Sequence, residues 1–154
     1  MRVLGVNGST STLWLCLVEG EQALETNPTS LELRPGPEAG YAFNSFRDEC
    51  THVLKALSPD RVVILDMEQT RQVPKVADMR ARFTAEALLA TCAIDAGMPC
   101  LRLPRPTLRA RLGLPKTGKL ADHVPSVFDT SVGTYWKAKR DMAALAARAE
   151  IVGG

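Results

Sequence analysis

The chain has 154 residues, 45% of them apolar and 23% charged. That balance suits one globular domain with a proper core, is too short for two, and excludes extended disorder. Net charge is only +2, but it is divided: residues 1–69 hold 5 Lys/Arg against 10 Asp/Glu, residues 70–154 hold 14 against 7, and the stretch 102–119 carries six bases and no acid. No apolar run approaches the roughly 18–20 residues of a membrane helix. The opening Arg2-Val3-Leu4-Gly5-Val6 reads as a strand rather than a secretory leader, so a cytoplasmic location without a membrane partner is expected. Cys16, Cys50, Cys92 and Cys100 form no CxxC pair, and His52 and His123 have no ligand-like spacing to them. Reduced thiols are therefore expected, and zinc is not.

Residues 2–7 form an apolar run ending at Asn7-Gly8, and residues 12–18 form a second. The short polar link between them predicts a hairpin. Around 30–34, Leu31 and Leu33 alternate with Glu32, which predicts a third strand with one face in water. Arg34-Pro35-Gly36-Pro37 breaks the chain, after which Phe43, Phe46, Cys50, Val53, Leu54 and Leu57 recur at helical spacing up to Ser58-Pro59. Residues 61–66 read as a buried strand ending on Asp66, followed by a polar connection to Pro74. A long helix is predicted over 76–96, with Met79, Phe83, Ala87, Ala90 and Ile94 along one side and Gly97 as its stop. A short strand at 98–103, a basic helix at 105–112, a glycine-bounded loop at 113–118, a helix from about Lys119 and a final helix over 134–149 complete the order. Strands in a hairpin followed by helix-crossed strands predict a mixed sheet with helices on both faces. Residues 1–150 are read as a single domain and 151–154 as a frayed end.

Three segments add detail to that order. Val3-Leu4-Gly5-Val6-Asn7-Gly8-Ser9 resembles the first strand of RuvC-like Holliday-junction resolvases, in which the pattern is apolar-Gly-apolar-Asp-Pro-Gly-Ser. The stretch from Leu108 to Leu120, a helix leading to a Gly-rich loop and Lys119, resembles their segment after the fifth strand. Asp141-Met142-Ala143-Ala144-Leu145-Ala146 resembles their closing helix. The resemblance covers most of the chain. It implies an RNase H-like α/β fold: a mixed five-stranded sheet, antiparallel over strands one to three, with strands four and five parallel to the first.

In that family two divalent ions are held by carboxylates, because phosphodiester hydrolysis must stabilise both the attacking and the leaving oxygen. Carried over, the resemblance implies Asp66 and Asp141 as metal ligands and catalytic acids, Glu68 as a near alternative to Asp66, and Mg or Mn as the cofactor of a catalytic form. The chain departs from the pattern twice. Asn7 stands where the first Asp belongs, and Ala138, flanked by Lys137 and Lys139, stands where a further acid often precedes Asp141. An amide supplies no charge, so metal affinity should fall steeply.

The basic run offers Arg105, Arg109, Arg111, Lys116 and Lys119 as contacts to a DNA or RNA backbone. Each of these readings has a plainer counterpart. Asp66 also reads as a turn cap, Asp141 as a helix acid paired with Lys137, Asn7 as a turn residue before Gly8, and 102–119 as a solvated face. The segment Gly113 to Lys119 matches most of a phosphate-binding loop. A helix rather than a strand precedes it, however, and Leu120 takes the Ser/Thr place, which argues against a nucleotide site. Three functions remain: a catalytically degenerate RuvC-like module binding nucleic acid or protein, an active metal-dependent nuclease using Asp66, Glu68 and Asp141, or a scaffold subunit. The resemblance also implies a homodimer formed through helices, for which the Ala-rich helix 76–96 is the candidate.

Overall fold

The computed structural model describes residues 1–34 and 36–154, so Pro35 in the predicted break lies outside the described residues. Strands β1 (Arg2–Ser9) and β2 (Thr12–Glu19) form the expected antiparallel hairpin, turning at Thr10 and Ser11. Strand β5 (Arg61–Leu65) runs parallel to β1, and β6 (Cys100–Leu103) parallel to β5. The predicted third strand is β4 (Ser30–Glu32), and an unpredicted short strand, β3 (Gln22–Leu24), precedes it; the two pair with opposite halves of β2. The sheet therefore has six strands rather than five, in the order β3-β2-β1-β5-β6 with β4 beside β2.

Alternation along the strands divides the core in two. Val3, Cys16, Val18, Val63 and Leu65 face one layer, made by α3 (Arg105–Leu112), a 3-10 helix (Leu120–Ser126) and α4 (Asp141–Gly153). Leu4, Val6, Leu13, Leu15, Leu17, Val62 and Ile64 face the other, made by α1 (Ala39–Leu57) and α2 (Val76–Asp95). Period-two alternation makes both faces apolar, and helices cover both. Gly5 lies where α4 crosses β1: a Cβ there would overlap the backbone carbonyl of Ala143. Ala143, Ala144, Ala146 and Ala147 are all fully buried, so small residues on both elements let helix and strand approach closely.

Three expectations are corrected. The buried side of α2 is Arg82, Ala85, Glu86, Leu89, Cys92 and Ala93, and not the 79/83/87/90/94 stripe; Phe83 and Ile94 face outward. Alanine is spread around this helix, so periodicity gave no contrast between its faces. The segment after Lys119 is a 3-10 turn set by Pro125 rather than an α-helix. The last helix begins at Asp141 instead of 134, because Tyr135 and Ala138 have left-handed backbone with φ of 54° and 57°. It runs on to Gly153, past the predicted end at 149.

Candidate functional site

The C-terminal ends of β1 and β5 open onto a cleft of about 480 Å³, lined by Asn7, Gly8, Glu68, Asp78, Arg82, Arg105, Lys119 and Ala138 among others. Side-by-side parallel strand ends are the usual place for a ligand in an α/β fold.

Asn7 is almost fully buried at the head of this cleft. It pairs with Trp14 on one side and Leu65 on the other, and its amide Nδ2 donates to the carbonyl of Lys139 at 3.0 Å. Glu68 lines the cleft and is exposed. Asp66 does not line it. Strand β5 ends at Leu65, so the strand geometry that would point 66 and 68 the same way is absent. The Asp66 carboxylate accepts from the Met67 amide at 3.0 Å and lies 3.6 Å from Arg102 Nη1.

Asp141 is the first residue of α4 and only 3% exposed. Its carboxylate accepts from the backbone amides of Ala138 at 3.0 Å and Met142 at 2.7 Å. Burial pushes its pKa up, and those backbone donors hold it down. It lines a separate recess of about 210 Å³ with Phe128, Trp136 and Lys137. Asn7, Glu68 and Ala138 thus line one cleft, while Asp66 and Asp141 stand beside it, bonded to the lining residues Arg105, Ala138 and Met142. Among the described residues no group of three or more His, Cys, Asp or Glu is placed to hold a metal ion.

The predicted basic contacts divide by what already holds them. Arg109 donates to the carbonyls of Pro115, Thr117 and Gly118, clamping the Gly-rich loop. Arg111 is paired with Glu150 at 2.6 Å. Arg105 sits at the start of α3, where its Nε donates to the Asp66 carbonyl at 2.9 Å. Burial lowers its pKa, and the nearby Glu68 charge opposes that. Lys116 and Lys119 are exposed and carry no ion pair among the described residues; Lys119 lines the cleft.

Sequence reasoning missed Arg82, which lies beneath the cleft on α2 and is 8% exposed. A Cβ on Gly8 would come within 2.8 Å of its Nε, so glycine is what lets the guanidinium reach the end of β1. Arg82 Nη2 donates to the Leu65 carbonyl at 3.4 Å, and its Nε is 3.6 Å from the fully buried Glu86, which also takes Arg102 at 3.0 Å. Burial holds its pKa below the usual guanidinium value, with Glu86 the main opposing charge. A charged pair spaced i,i+4 among small residues was the available signal, and it marks the inward face of α2. Arg140, fully buried, was also missed: it donates to the carbonyls of Leu15, Val132 and Thr134 and fixes the segment before α4.

No helix among the described residues is long and apolar enough to cross a membrane. No protein-family model matches the chain, and no curated protein sequence matches it. Solved structures do. The chain is similar to Thermus thermophilus RuvC, with a TM-score of 0.74 and 18% identity over 99% of this chain and 94% of that one. It is equally similar to T. thermophilus RuvC in complex with Holliday junction substrate, with a TM-score of 0.74, 18% identity, and 99% and 93% of the two chains covered. The yeast mitochondrial Holliday junction resolvase Ydc2 aligns with a TM-score of 0.52 and 11% identity over 96% of this chain and 76% of that one. The sheet order, the helices on both faces and these likenesses together establish that the chain has the RuvC-type RNase H-like fold.

Proposed function

We propose that this chain is a RuvC-fold domain that binds nucleic-acid backbone through the cleft at the ends of β1 and β5, without two-metal hydrolysis. The observation that carries the reading is the cleft's own chemistry. Arg82, Arg105 and Lys119 line it, and Asn7 uses its amide as a donor to a backbone carbonyl. Two hard cations need several carboxylate oxygens converging on one point. Asp66 faces Arg102, the Asp141 oxygens are engaged by backbone amides, and Glu68 is the one predicted acid left in the cleft. With Asp78 the only other acid among the described residues lining the cleft, this donor set does not fit a two-metal centre, whereas Arg105 and Lys119 suit phosphate oxygens, with Arg82 held beneath them by Glu86 and the Leu65 carbonyl.

A gel-shift series with branched, duplex and single-stranded DNA, run in EDTA and in Mg²⁺ or Mn²⁺ at rising salt, tests this. Binding should survive EDTA, weaken with salt, and leave the DNA uncut. Arg105→Ala and Lys119→Ala should each weaken binding to all sequences alike and flatten the salt slope by about one unit. Metal-dependent cleavage abolished by Asp66→Ala, Glu68→Ala or Asp141→Ala would establish the nuclease alternative instead. No shift at the lowest salt would leave a scaffold role.

A second reading concerns self-association. Val76, Phe83 and Ile94 stand along the outer face of α2 at 66%, 43% and 62% exposure. An apolar stripe left in water on a 20-residue helix suits an isologous contact with the same helix of a second copy. Sedimentation should then give a dimer, and Phe83→Lys with Ile94→Lys a folded monomer whose melting no longer depends on protein concentration. A monomeric wild type would refute the contact.

A further inference from the structure

We propose that Trp14, Tyr135 and Lys139 form a stacking subsite for an unpaired nucleobase, placed one strand away from the cleft. The inference rests on the nucleic-acid reading above and specifies which form of nucleic acid the surface takes. Every other large apolar residue of β2 is buried, and Trp14 alone remains partly open to solvent. It is the direct cross-strand partner of Asn7, so its indole lies on the same face of the sheet as the Asn7 side chain. Tyr135 is 58% exposed, with its ring centroid 5.4 Å from that of Trp14 and the two planes tilted by 37°. The Lys139 ammonium lies 5.0 Å from the Trp14 centroid and 5.4 Å from that of Tyr135.

The chain holds this group in place at a conformational cost. Tyr135 has a φ of 54°, which an L side chain rarely adopts. Such strain persists only where the surroundings fix it. Here they do: Arg140 donates its backbone amide to the Tyr135 carbonyl at 3.1 Å and its Nη1 to the carbonyls of Val132 and Thr134. Asn7 ties down the Lys139 carbonyl at 3.0 Å. The neighbouring Trp136 turns the other way, 8% exposed and edge-on to Phe128. Two adjacent aromatics thus point in opposite directions, one into the core and one to solvent beside a second ring.

A core needs no such outward ring, and an exposed tyrosine ring with a partly open indole beside a cation suits a flat, electron-rich partner beside an anion. An unpaired base attached to its phosphate is that partner: the rings take the base, and Lys139 takes the adjacent phosphate. Asn7 and Ala138 border both the aromatic group and the cleft, so one strand can lie across the two.

The test is fluorescence titration of the full chain with an oligothymidylate of roughly fifteen nucleotides, the upper range of single-strand site sizes. A Trp136→Phe background makes Trp14 the only indole. Addition of the oligomer should quench its emission. Measured by gel shift, because Trp14→Leu removes the reporting indole, Trp14→Leu and Tyr135→Ala should each weaken binding about tenfold, within the range set by one base stack, while Tyr135→Phe retains it. Tyr135→Gly removes the ring and fits the left-handed backbone, so it should bind as weakly as Tyr135→Ala while melting no lower than wild type.

Unchanged affinity in the ring-deleted variants, or binding without quenching, overturns the subsite. If duplex or branched DNA still shifts under those conditions, the cleft reading stands without the subsite. If the oligothymidylate depends on Trp14 and Tyr135 but not on Arg105 and Lys119, the subsite stands and the cleft reading falls. Failure to bind any nucleic acid overturns both and leaves the aromatic pair to a protein partner.

Discussion

The side-chain amide of Asn7 donates a 3.0 Å hydrogen bond to the carbonyl oxygen of Lys139, 132 residues further along the chain. An ionised Asp has no hydrogen to donate, so Asn7→Asp would set a carboxylate against a carbonyl oxygen in a nearly buried position. That should cost about 1–3 kcal/mol at neutral pH. Part of the loss should return in acid, where a protonated carboxyl can donate. Urea denaturation at both pH values measures it. A stable Asn7→Asp protein that gains Mg²⁺-dependent nuclease activity would show that the position is waiting for a ligand and not serving as a brace.

Gly5 allows α4 to lie directly on β1, and a methyl group there would overlap the Ala143 carbonyl. The obstacle is backbone, so no rotamer change relieves it. Gly5→Ala should therefore cost about 3 kcal/mol or more, whereas Gly97→Ala, in open space at a positive φ of 76°, should show only the smaller strain of its backbone. Thermal melts of the two variants side by side check the contrast.

Glu150 is nearly buried between Arg61 and Arg111, each 2.6 Å from one of its carboxylate oxygens. This pairing joins the end of α4 to the start of β5 and to α3. Glu150→Ala leaves two arginines facing each other without their anion and should lose about 3–5 kcal/mol. Glu21→Ala breaks the Arg148–Glu21 pair, in which Glu21 is 85% exposed, and should change stability by less than about 1 kcal/mol. Equal losses in the two variants would contradict the assigned burial.

The hairpin, β5 and the layering were legible in the sequence because long apolar runs with small residues at fixed places leave few alternatives. The remainder was set by contacts distant in the chain. Apolar spacing carried the predicted helix back to 134, but the Arg140 side chain binds the carbonyls of Val132 and Thr134 and reaches back to Leu15, and Tyr135 and Ala138 take left-handed backbone, so the helix starts late. The α2 face was misassigned because its inward side carries Arg82 and Glu86, charged residues that pattern reasoning assigns to solvent. Site legibility followed the same division. Asn7 and Lys119 were placed at the cleft by the resemblance to a family, whereas Arg82 depends on Gly8 leaving room for it and Tyr135 on a backbone conformation with no local signal.

Asp141 supplies a test that depends on the sign of a titration. Burial raises its pKa above the ordinary 3.8, so between the unfolded and folded values the folded chain holds the proton more tightly. Unfolding free energy contributed by this group therefore falls as pH rises through that window, and it stays lower above it. Asp141→Asn does not titrate. It also leaves either the Ala138 or the Met142 amide without its acceptor, a loss that is the same at every pH. The informative quantity is thus the change with pH and not the sign at one pH: the stability of Asp141→Asn relative to wild type should improve from about pH 3 to pH 7. A difference that is flat, or that worsens toward neutrality, would mean that the backbone donors outweigh burial and that Asp141 is held as a stable anion.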